Sequence, residues 1–438
     1  MQFDEALAYL LSLGHETLTI KLGLHNIEIL LEALGNPQQA FRSIQIAGTN
    51  GKGSTAVVVE SILQTAGISS GLYTSPHLIS ITERIRINGH EISPETFARF
   101  ADQVRTTAEE LVERRRLEAV PTFFEQVTAI ALLAFREAKI ELAILETGMG
   151  GRLDATTCAR AEIVAITPVA LDHEEYLGET IEKVAAEKAA IIRPGVTAIL
   201  GPQVAAAQEV ILGQCRLSNV QPIFDQTRKK IEGVAADGRF CISLETSSNI
   251  YERVWLGLRG RHQIINVSLA VVIVEALREK DFDIPAAAII EGIQTAEHAG
   301  RLELIPRKPT LMFDGAHNPA GAQTLRDYLV EFGNRPLTVV FGAMRDKNLR
   351  QMAELLFPLS DQLVLTEVEN PRAATLDTLQ PLAAHLVAPE RIATARSAGE
   401  ALEMAREKTP ASGVVCFTGS LYLIGAVRRL VLLEEEIE

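Results

Sequence analysis

Ile44-Gln45-Ile46-Ala47-Gly48-Thr49-Asn50-Gly51-Lys52-Gly53-Ser54-Thr55 reads as an apolar strand that enters a glycine-rich turn and leaves it as a helix. The helix is expected to begin near Ser54 and to continue through Val57 to Leu63. Gly48, Gly51 and Gly53 let backbone N–H groups point inward at a polyphosphate. The helix N-terminus adds partial positive charge, Lys52 neutralises the outer phosphates, and the Ser54 hydroxyl is placed to ligate Mg²⁺. A chance glycine-rich turn is the alternative, but strand, Gly-Lys step and hydroxyl all agree. Nucleotide binding is the first expectation.

The rest of the composition bounds what surrounds this loop. A chain of 438 residues exceeds what one hydrophobic core usually supports, so two domains are expected. With 47% hydrophobic and 22% charged residues it reads as soluble and globular. No window approaches the ~20 uninterrupted apolar residues of a membrane helix. The start, Met1-Gln2-Phe3-Asp4-Glu5, lacks the basic-then-apolar layout of a secretion signal. Cys158, Cys215, Cys241 and Cys416 are scattered without zinc or redox spacing, which suits a reducing cytoplasm. A net charge of −14 argues against nonspecific nucleic-acid binding. If the substrates are themselves anionic, the site must gather Lys, Arg, Mg²⁺ and helix N-termini against the protein's own field.

Apolar β-branched runs alternate with helical patterns, the signature of a mostly parallel sheet covered by helices in an α/β fold. Candidate strands are Ser43–Ala47, Ser70–Tyr73, Leu142–Glu146, Ile163–Ile166 and Thr197–Leu200, with amphipathic stretches at Pro94–Arg116 and Thr122–Ala138 between them. From about Lys229 to Leu258, short alternating runs predict a small antiparallel insertion. A helix over Gln263–Leu277 and a polar connection, Gln294–Gly300, follow. The boundary is placed there, giving domains 1–296 and 297–438. The second has its own α/β series: Thr310–Phe313, Leu337–Phe341, Gln362–Leu365 and Gly413–Thr418. The acidic end from Glu434 reads as a solvated terminus.

Strand ends keep delivering polar ligands. Ser75 follows one strand and offers a hydroxyl, although such a serine is ordinarily a turn former. Glu146 ends a buried strand, where an unpaired carboxylate would be costly, so a cation partner is expected. His173 lies just past another strand, on the edge of an open α/β sheet where ligands bind. Hard oxygen ligands plus one imidazole suit Mg²⁺ or Mn²⁺, with phosphates completing the shell. His15 and His385, by contrast, read as structural. Lys188 sits in an otherwise apolar helix; a surface lysine is the ordinary reading, and a partly buried one would be reactive as an amine, including toward CO₂. In Phe313-Asp314-Gly315-Ala316-His317-Asn318-Pro319, a helix cap explains Asn318 but not Asp314 or His317. Arg301 is placed to reach a phosphate from the second domain.

These residues together resemble a known family. Ile46 to Ser54, Tyr73 to Leu78, Thr82-Glu83-Arg84-Ile85-Arg86, Glu146 to Thr156, Leu171-Asp172-His173 and Phe313 to Pro319 look like the folylpolyglutamate synthase / dihydrofolate synthase branch of the Mur ligase superfamily. The resemblance covers nearly the full chain and implies a P-loop central domain of Mur-ligase type plus a C-terminal Rossmann-like domain. It implies ATP-dependent amide formation between a folate-type carboxylate and L-glutamate through an acyl phosphate, in folate biosynthesis and one-carbon metabolism. Carried over by position, Asn50, Gly51, Lys52 and Gly53 bind phosphates with Ser54 as the loop hydroxyl; Ser75, Glu146 and His173 hold magnesium, with two sites expected; Asn266, Arg301 and Asp314 contact the nucleotide. Lys188 stands where the family has a carboxylated lysine, and His317 near the acyl phosphate and incoming glutamate, so Lys52, Lys188, Asp314 and His317 form the expected catalytic set. Thr122, Phe123, Phe124 and Glu125, with Leu153, Asp154 and Ala155, match segments that contact dihydropteroate in bifunctional members. An aromatic shelf and a carboxylate suit a flat amide-bearing ring, while plain core packing would equally explain Phe123 and Phe124. Thr157, Ala190 and Lys21 depart from the family's usual Asn, Gly and acidic residue, and the last puts the dihydropteroate activity in question. A monomer is the family expectation.

Other readings remain. A Mur-type ligase acting on a UDP-muramoyl peptide shares the loop and both α/β domains, but it normally carries a further N-terminal domain. A non-catalytic nucleotide-binding protein would leave Asp314 and His317 unemployed. Closure about a hinge near Glu297–Arg301 is expected to exclude water from the acyl phosphate.

Overall fold

The computed structural model describes residues 1–14, 23–333 and 336–437. His15 and Lys21 lie outside the described residues. Among these, eight strands form a first sheet in the order His90–Glu91, Ile85–Ile87, Ser70–Tyr73, Leu142–Glu146, Arg42–Ala47, Ile163–Ile166, Thr197–Leu200, Ile223–Phe224. The strands from Ser70–Tyr73 to Ile223–Phe224 pair in parallel, so their C-terminal ends share one edge. Leu142–Glu146 is buried throughout, as expected of a parallel strand covered on both faces. The parallel expectation stops at the other edge, where Ile85–Ile87 and His90–Glu91 add an antiparallel hairpin. Both strands are too short to carry an alternating pattern, and so went unread in the sequence.

The helix that follows the glycine-rich turn spans Lys52–Thr65, starting slightly before the expected Ser54. Residues 54–60 are buried without interruption, including Glu60, so this helix has almost no solvent face. One side packs on the sheet through Ile44, Ile46 and Ile144, and the other on Val267, Val271 and Ile289 in one continuous core. The predicted antiparallel insertion is present as Arg228–Val234, Arg239–Glu245 and Ile250–Arg259. It closes the same core with Phe240, Ile242, Tyr251 and Val254.

The helix Ala286–Thr295 lies on the Lys52–Thr65 helix, and Gln294 and Thr295, expected in a polar connection, belong to it. Gly292 makes the approach possible, since a Cβ there would sit 2.5 Å from Ile62 Cα. Ser61 Oγ then donates to Gly292 O at 2.8 Å. The segment after Thr295 is thereby aimed back toward the start of the Lys52–Thr65 helix.

A six-stranded sheet follows: Glu303–Ile305, Thr310–Phe313, Val414–Thr418, Leu337–Phe341, Gln362–Thr366, Ile392–Ala395. Only the first of these strands is antiparallel. Helix Leu421–Ile437 closes this part. Its Glu434 pairs with Arg406 at 2.8 Å, so the acidic end is anchored at that residue and not simply solvated.

Replacing Gly292 with Ala should force the two helices apart and destabilise the fold by about 1–3 kcal/mol, the usual cost of overpacking. Urea unfolding would register the change as a lower midpoint at unchanged slope.

Candidate active site

The parallel edge is the origin of the site, because four of the six parallel strands deliver site residues there. After Ala47 the chain turns through Gly48 at φ +148° and Gly51 at φ +89°, both in the region that disfavours side chains. A Cβ on Gly48 would lie 1.8 Å from Thr167 Oγ1, and one on Gly51 2.3 Å from Asn266 Oδ1. Neighbouring strands pin the loop: Thr49 Oγ1 donates to Ala170 O at 2.9 Å and accepts from Ala170 N at 3.0 Å. Asn266 Nδ2 donates to Gln263 Oε1 at 2.8 Å, and Gln263 Nε2 donates to Ser54 Oγ at 3.3 Å. Lys52 Nζ folds back on Thr49 O at 3.3 Å.

The remaining predicted residues converge on the same crevice, a cavity of about 160 Å³. Its wall contains Asn50 to Ser54, Ser75, Glu146, His173, Lys188, Asn266, Arg301, Asp314 and His317. Glu146 accepts from Ser75 N–H at 3.2 Å. Burial pushes its carboxyl up, against the pull of Lys52, the Ser75 amide and Arg301. Lys188 is fully buried, a correction to the surface reading, and its Nζ donates to Gly48 O at 2.7 Å. Burial first, then repulsion from Lys52, lowers its pKa to about 7. His173 adopts φ 52°, a strained backbone for a non-glycine residue, immediately after its strand's loop. Burial lowers its pKa to about 4, which leaves a neutral imidazole of the kind that ligates metals.

From the six-stranded part come Arg301, whose Nη1 donates to Gly315 O at 3.2 Å, and Asp314. Asp314 accepts from Leu302 N at 3.0 Å and Ala316 N at 3.1 Å, while burial pushes its carboxyl up. His317 Nδ1 donates to Gly315 O at 2.8 Å. Asn318 does cap its helix, accepting from Gly321 N at 2.8 Å, and it also reaches Asn50 Oδ1 at 3.3 Å.

Four contributors were not singled out from sequence. Asp172, only quoted as a neighbour of His173, binds Lys347 Nζ at 2.8 Å and Asn318 Nδ2 at 3.1 Å, with His317 Nε2 3.6 Å away. Burial raises its carboxyl, but neighbouring His317 and the Lys347 charge outweigh that and hold Asp172 well below the usual carboxylate range. Arg372 has a buried Nε without a protein acceptor. His298, on the segment joining the two sheets, reaches the phosphate loop. Burial, then Arg301 and Arg86, lowers its pKa to about 3. The apolar or polar surroundings of Lys347, Arg372 and His298 carried no motif.

The segments matched to a pterin line a neighbouring cavity of about 260 Å³: Thr122, Phe123, Phe124, Glu125, Leu153, Asp154 and Ala155 all reach it. Part of that set is structural as well. Phe123 belongs to the core, Glu125 closes a capping box with Thr122 (2.7 Å to its N), and Asp154 accepts from Met149 N at 3.0 Å. Phe124 is only half-buried, with its ring packed where a Gly148 Cβ would lie, 2.5 Å from Cζ. Thr157 keeps its turn closed by donating to Gly151 O at 2.8 Å. A third cavity, about 520 Å³, opens beside Asp172, Arg345, Lys347 and Arg372. His173 lines all three, and Ser75 and His317 line the first two.

Comparison with known proteins matches this layout. Residues 46–274 match the Mur ligase middle domain and residues 300–421 the Mur ligase, glutamate ligase domain. The dihydrofolate synthase/folylpolyglutamate synthase of Mycobacterium tuberculosis is 33% identical, over 93% of this chain and 89% of that protein. The chain belongs to the folylpolyglutamate synthase/dihydrofolate synthase family of Mur ligases. The Mycobacterium tuberculosis folylpolyglutamate synthase complexed with ADP superposes with a TM-score of 0.90 at 32% identity, covering 98% of this chain and 99% of that one. A bifunctional folylpolyglutamate synthase/dihydrofolate synthase with Mn, AMPPNP and L-glutamate bound gives 0.84 at 28% identity, covering 99% and 98%. No helix among the described residues is long and apolar enough to cross a membrane.

Asp172 is the charge that joins the two halves of this site. Asp172→Asn would leave Lys347 buried without its counter-charge, a loss of about 3–5 kcal/mol. Small-angle scattering of the ligand-free variant should show a larger radius of gyration than wild type, together with a fall in turnover of about a hundredfold.

Proposed function

We propose that this chain joins L-glutamate to a folate-type carboxylate using ATP, as a folylpolyglutamate synthase that also serves as a dihydrofolate synthase. The carrying observation is the meeting of three cavities at His173: a phosphate crevice, an aromatic-walled pocket, and a mouth of mixed charge that includes Arg345, Lys347 and Arg372. Three substrates need such confluence. The relative with Mn, AMPPNP and L-glutamate bound holds a nucleotide analogue and an amino acid together, which supports the same pairing here.

The residues fit a divalent cation. Glu146 is a buried carboxylate whose burial opposes ionisation, and His173 is a neutral imidazole on the same wall. Among the described residues no three His, Cys, Asp or Glu side chains form a metal cluster, so a cation held here would need further oxygens from water or phosphate. Ser75, Glu146 and His173 would hold Mg²⁺, which when bound neutralises charge on the phosphates.

The residues then divide the work. The loop amides of Asn50 to Gly53 and Lys52 grip the triphosphate, with Asn266, Arg301 and Asp314 around the nucleotide. The substrate carboxylate, entering over Phe124 past Ser75, takes the γ-phosphoryl group and ADP is left behind. Glutamate enters beside Lys347 and Arg372, cations suited to its two carboxylates. Its amine attacks the acyl phosphate near His317; the C–N bond forms as the C–O bond to phosphate breaks, and phosphate departs with that electron pair and takes up the proton the amine loses. Holding the amine beside the activated acid contributes roughly 7–11 kcal/mol in the best oriented cases. We assign residues 1–296 and 297–438 to two domains that close about Glu297–Arg301 to keep water out. We assign the activity to a monomer in a reducing cytoplasm, a compartment in keeping with the chain's four free, buried cysteines.

A UDP-muramoyl peptide is the competing acceptor. Phosphate release should require glutamate together with dihydropteroate or tetrahydrofolate, and fail with the UDP-muramoyl substrate. Release that ignores the acceptor would defeat the ligase reading.

Lys188 is proposed to carry a carboxyl group on Nζ and to support a second metal. Only a neutral amine takes up CO₂, and a pKa of about 7 leaves Lys188 mostly neutral at pH about 8 and mostly protonated at pH about 6. With ¹³C-bicarbonate, a carbamate resonance should be present at the higher pH, vanish at the lower, and be missing from Lys188→Ala.

A further inference from the structure

The phosphate-loop hydroxyl has a neighbour that no other part of the site explains. His298 Nδ1 lies 3.1 Å from Ser54 Oγ, across 244 residues of sequence. The imidazole rests on the loop itself, since a Cβ on Gly53 would be 3.0 Å from His298 Cε1. The helix Ala286–Thr295 fixes this placement by its contact at Gly292, so the ring is held from its own side as well.

The hydrogen bonds around Ser54 have a direction. Asn266 donates to Gln263 Oε1 at 2.8 Å, which turns the Gln263 amide nitrogen toward Ser54 Oγ at 3.3 Å. That oxygen therefore already receives a proton donor and must place its own hydrogen elsewhere. In the tautomer that carries its proton on Nε2, His298 Nδ1 is the acceptor in reach, 3.1 Å away. With one lone pair bound by Gln263 and the proton bound by His298, the remaining lone pair of Oγ has a single free direction, into the phosphate crevice.

We propose that His298 is a positioning residue, whose Nδ1 accepts the Ser54 hydroxyl hydrogen and turns the oxygen's free lone pair toward the metal–phosphate position. The inference rests on the nucleotide-binding reading above. The same Nδ1–Oγ contact gives the segment between the two sheets a direct grip on the loop, and Arg301 is tied to it by donating its N–H to His298 O at 3.3 Å. A partner behind a metal-facing oxygen is worth about 10–100-fold in metal affinity.

Calorimetric titration with ADP, in Mg²⁺ and in EDTA, tests this without turnover. His298→Phe keeps a ring and removes the acceptor; His298→Leu is a second acceptor-free variant should the first misfold. His298→Asn retains an acceptor oxygen near the Nδ1 position. Wild type and His298→Asn should both gain affinity on adding Mg²⁺. The acceptor-free variants should lose about tenfold of that gain, with EDTA affinity unchanged. Adding His298→Phe to Ser54→Ala should cost nothing more, as expected of a residue acting through Ser54. A full Mg²⁺ gain in the acceptor-free variants would overturn the proposal. So would equal losses in Mg²⁺ and EDTA, or a His298→Asn as impaired as His298→Phe. Absence of ADP binding by wild type in both buffers would instead remove the nucleotide reading on which the proposal stands.

Discussion

A helix buried on nearly every side has only its ends to present, and Lys52–Thr65 presents its N-terminus to the crevice. That constraint organises the molecule. The sheet supports one flank, and His262–Arg278 and Ala286–Thr295 close the others. Because the helix cannot shift, the glycine turn before it is fixed against Thr167 and Asn266, and its amides keep a common target. Dipole and unpaired N–H groups at that end are useful only if they stay aimed. The surrounding core is what aims them.

Around that fixed point burial drives ionisable groups away from their usual charged states and toward their neutral forms. Glu146 and Asp314 are pushed up, while Lys188, His173 and His298 are pushed down. An anionic protein could have satisfied each group by a local ion pair, as it does at Arg42–Glu162, 2.6 Å apart. In the crevice it leaves them incompletely matched, the condition in which arriving phosphates and cations supply what the protein withholds. Such clustering of opposed shifts on one wall separates this crevice from the structural carboxylates elsewhere. Glu275, for example, is fully engaged by Thr246, Asn249 and Tyr251.

Much of this was legible in the sequence. Ser70–Tyr73, Leu142–Glu146, Ile163–Ile166 and Thr197–Leu200 were read with their observed bounds, because short, largely apolar runs bounded by turn residues encode buried parallel strands directly. Strands that exist only through pairing, such as Ile85–Ile87 and Glu303–Ile305, are too short to leave a pattern. The residues that follow strand ends were found for the same reason, since one parallel edge collects them. Lys347, Arg372 and His298 were not, because each acquires its role from a fold-level contact. Lys188 shows the limit most clearly. Its helix looked merely apolar, and only the approach of Gly48 O reveals that its amine is enclosed.

The contact that decides how the halves work together is the one Asp172 makes. It stands one residue before His173 and accepts from Lys347 and Asn318 of the other half. Its charge thus links the nucleotide wall to the mouth proposed for glutamate. An exposed pair would contribute little to such a link, since water and salt screen it. This one is nearly enclosed, 9% exposed at Asp172 and 12% at Lys347, so its strength depends on both charges being present and on water staying out. A site that must protect an acyl phosphate from hydrolysis needs that same dryness. The proposed closure and the chemistry therefore draw on one condition: whatever opens the crevice to solvent weakens the Asp172–Lys347 bond that spans it.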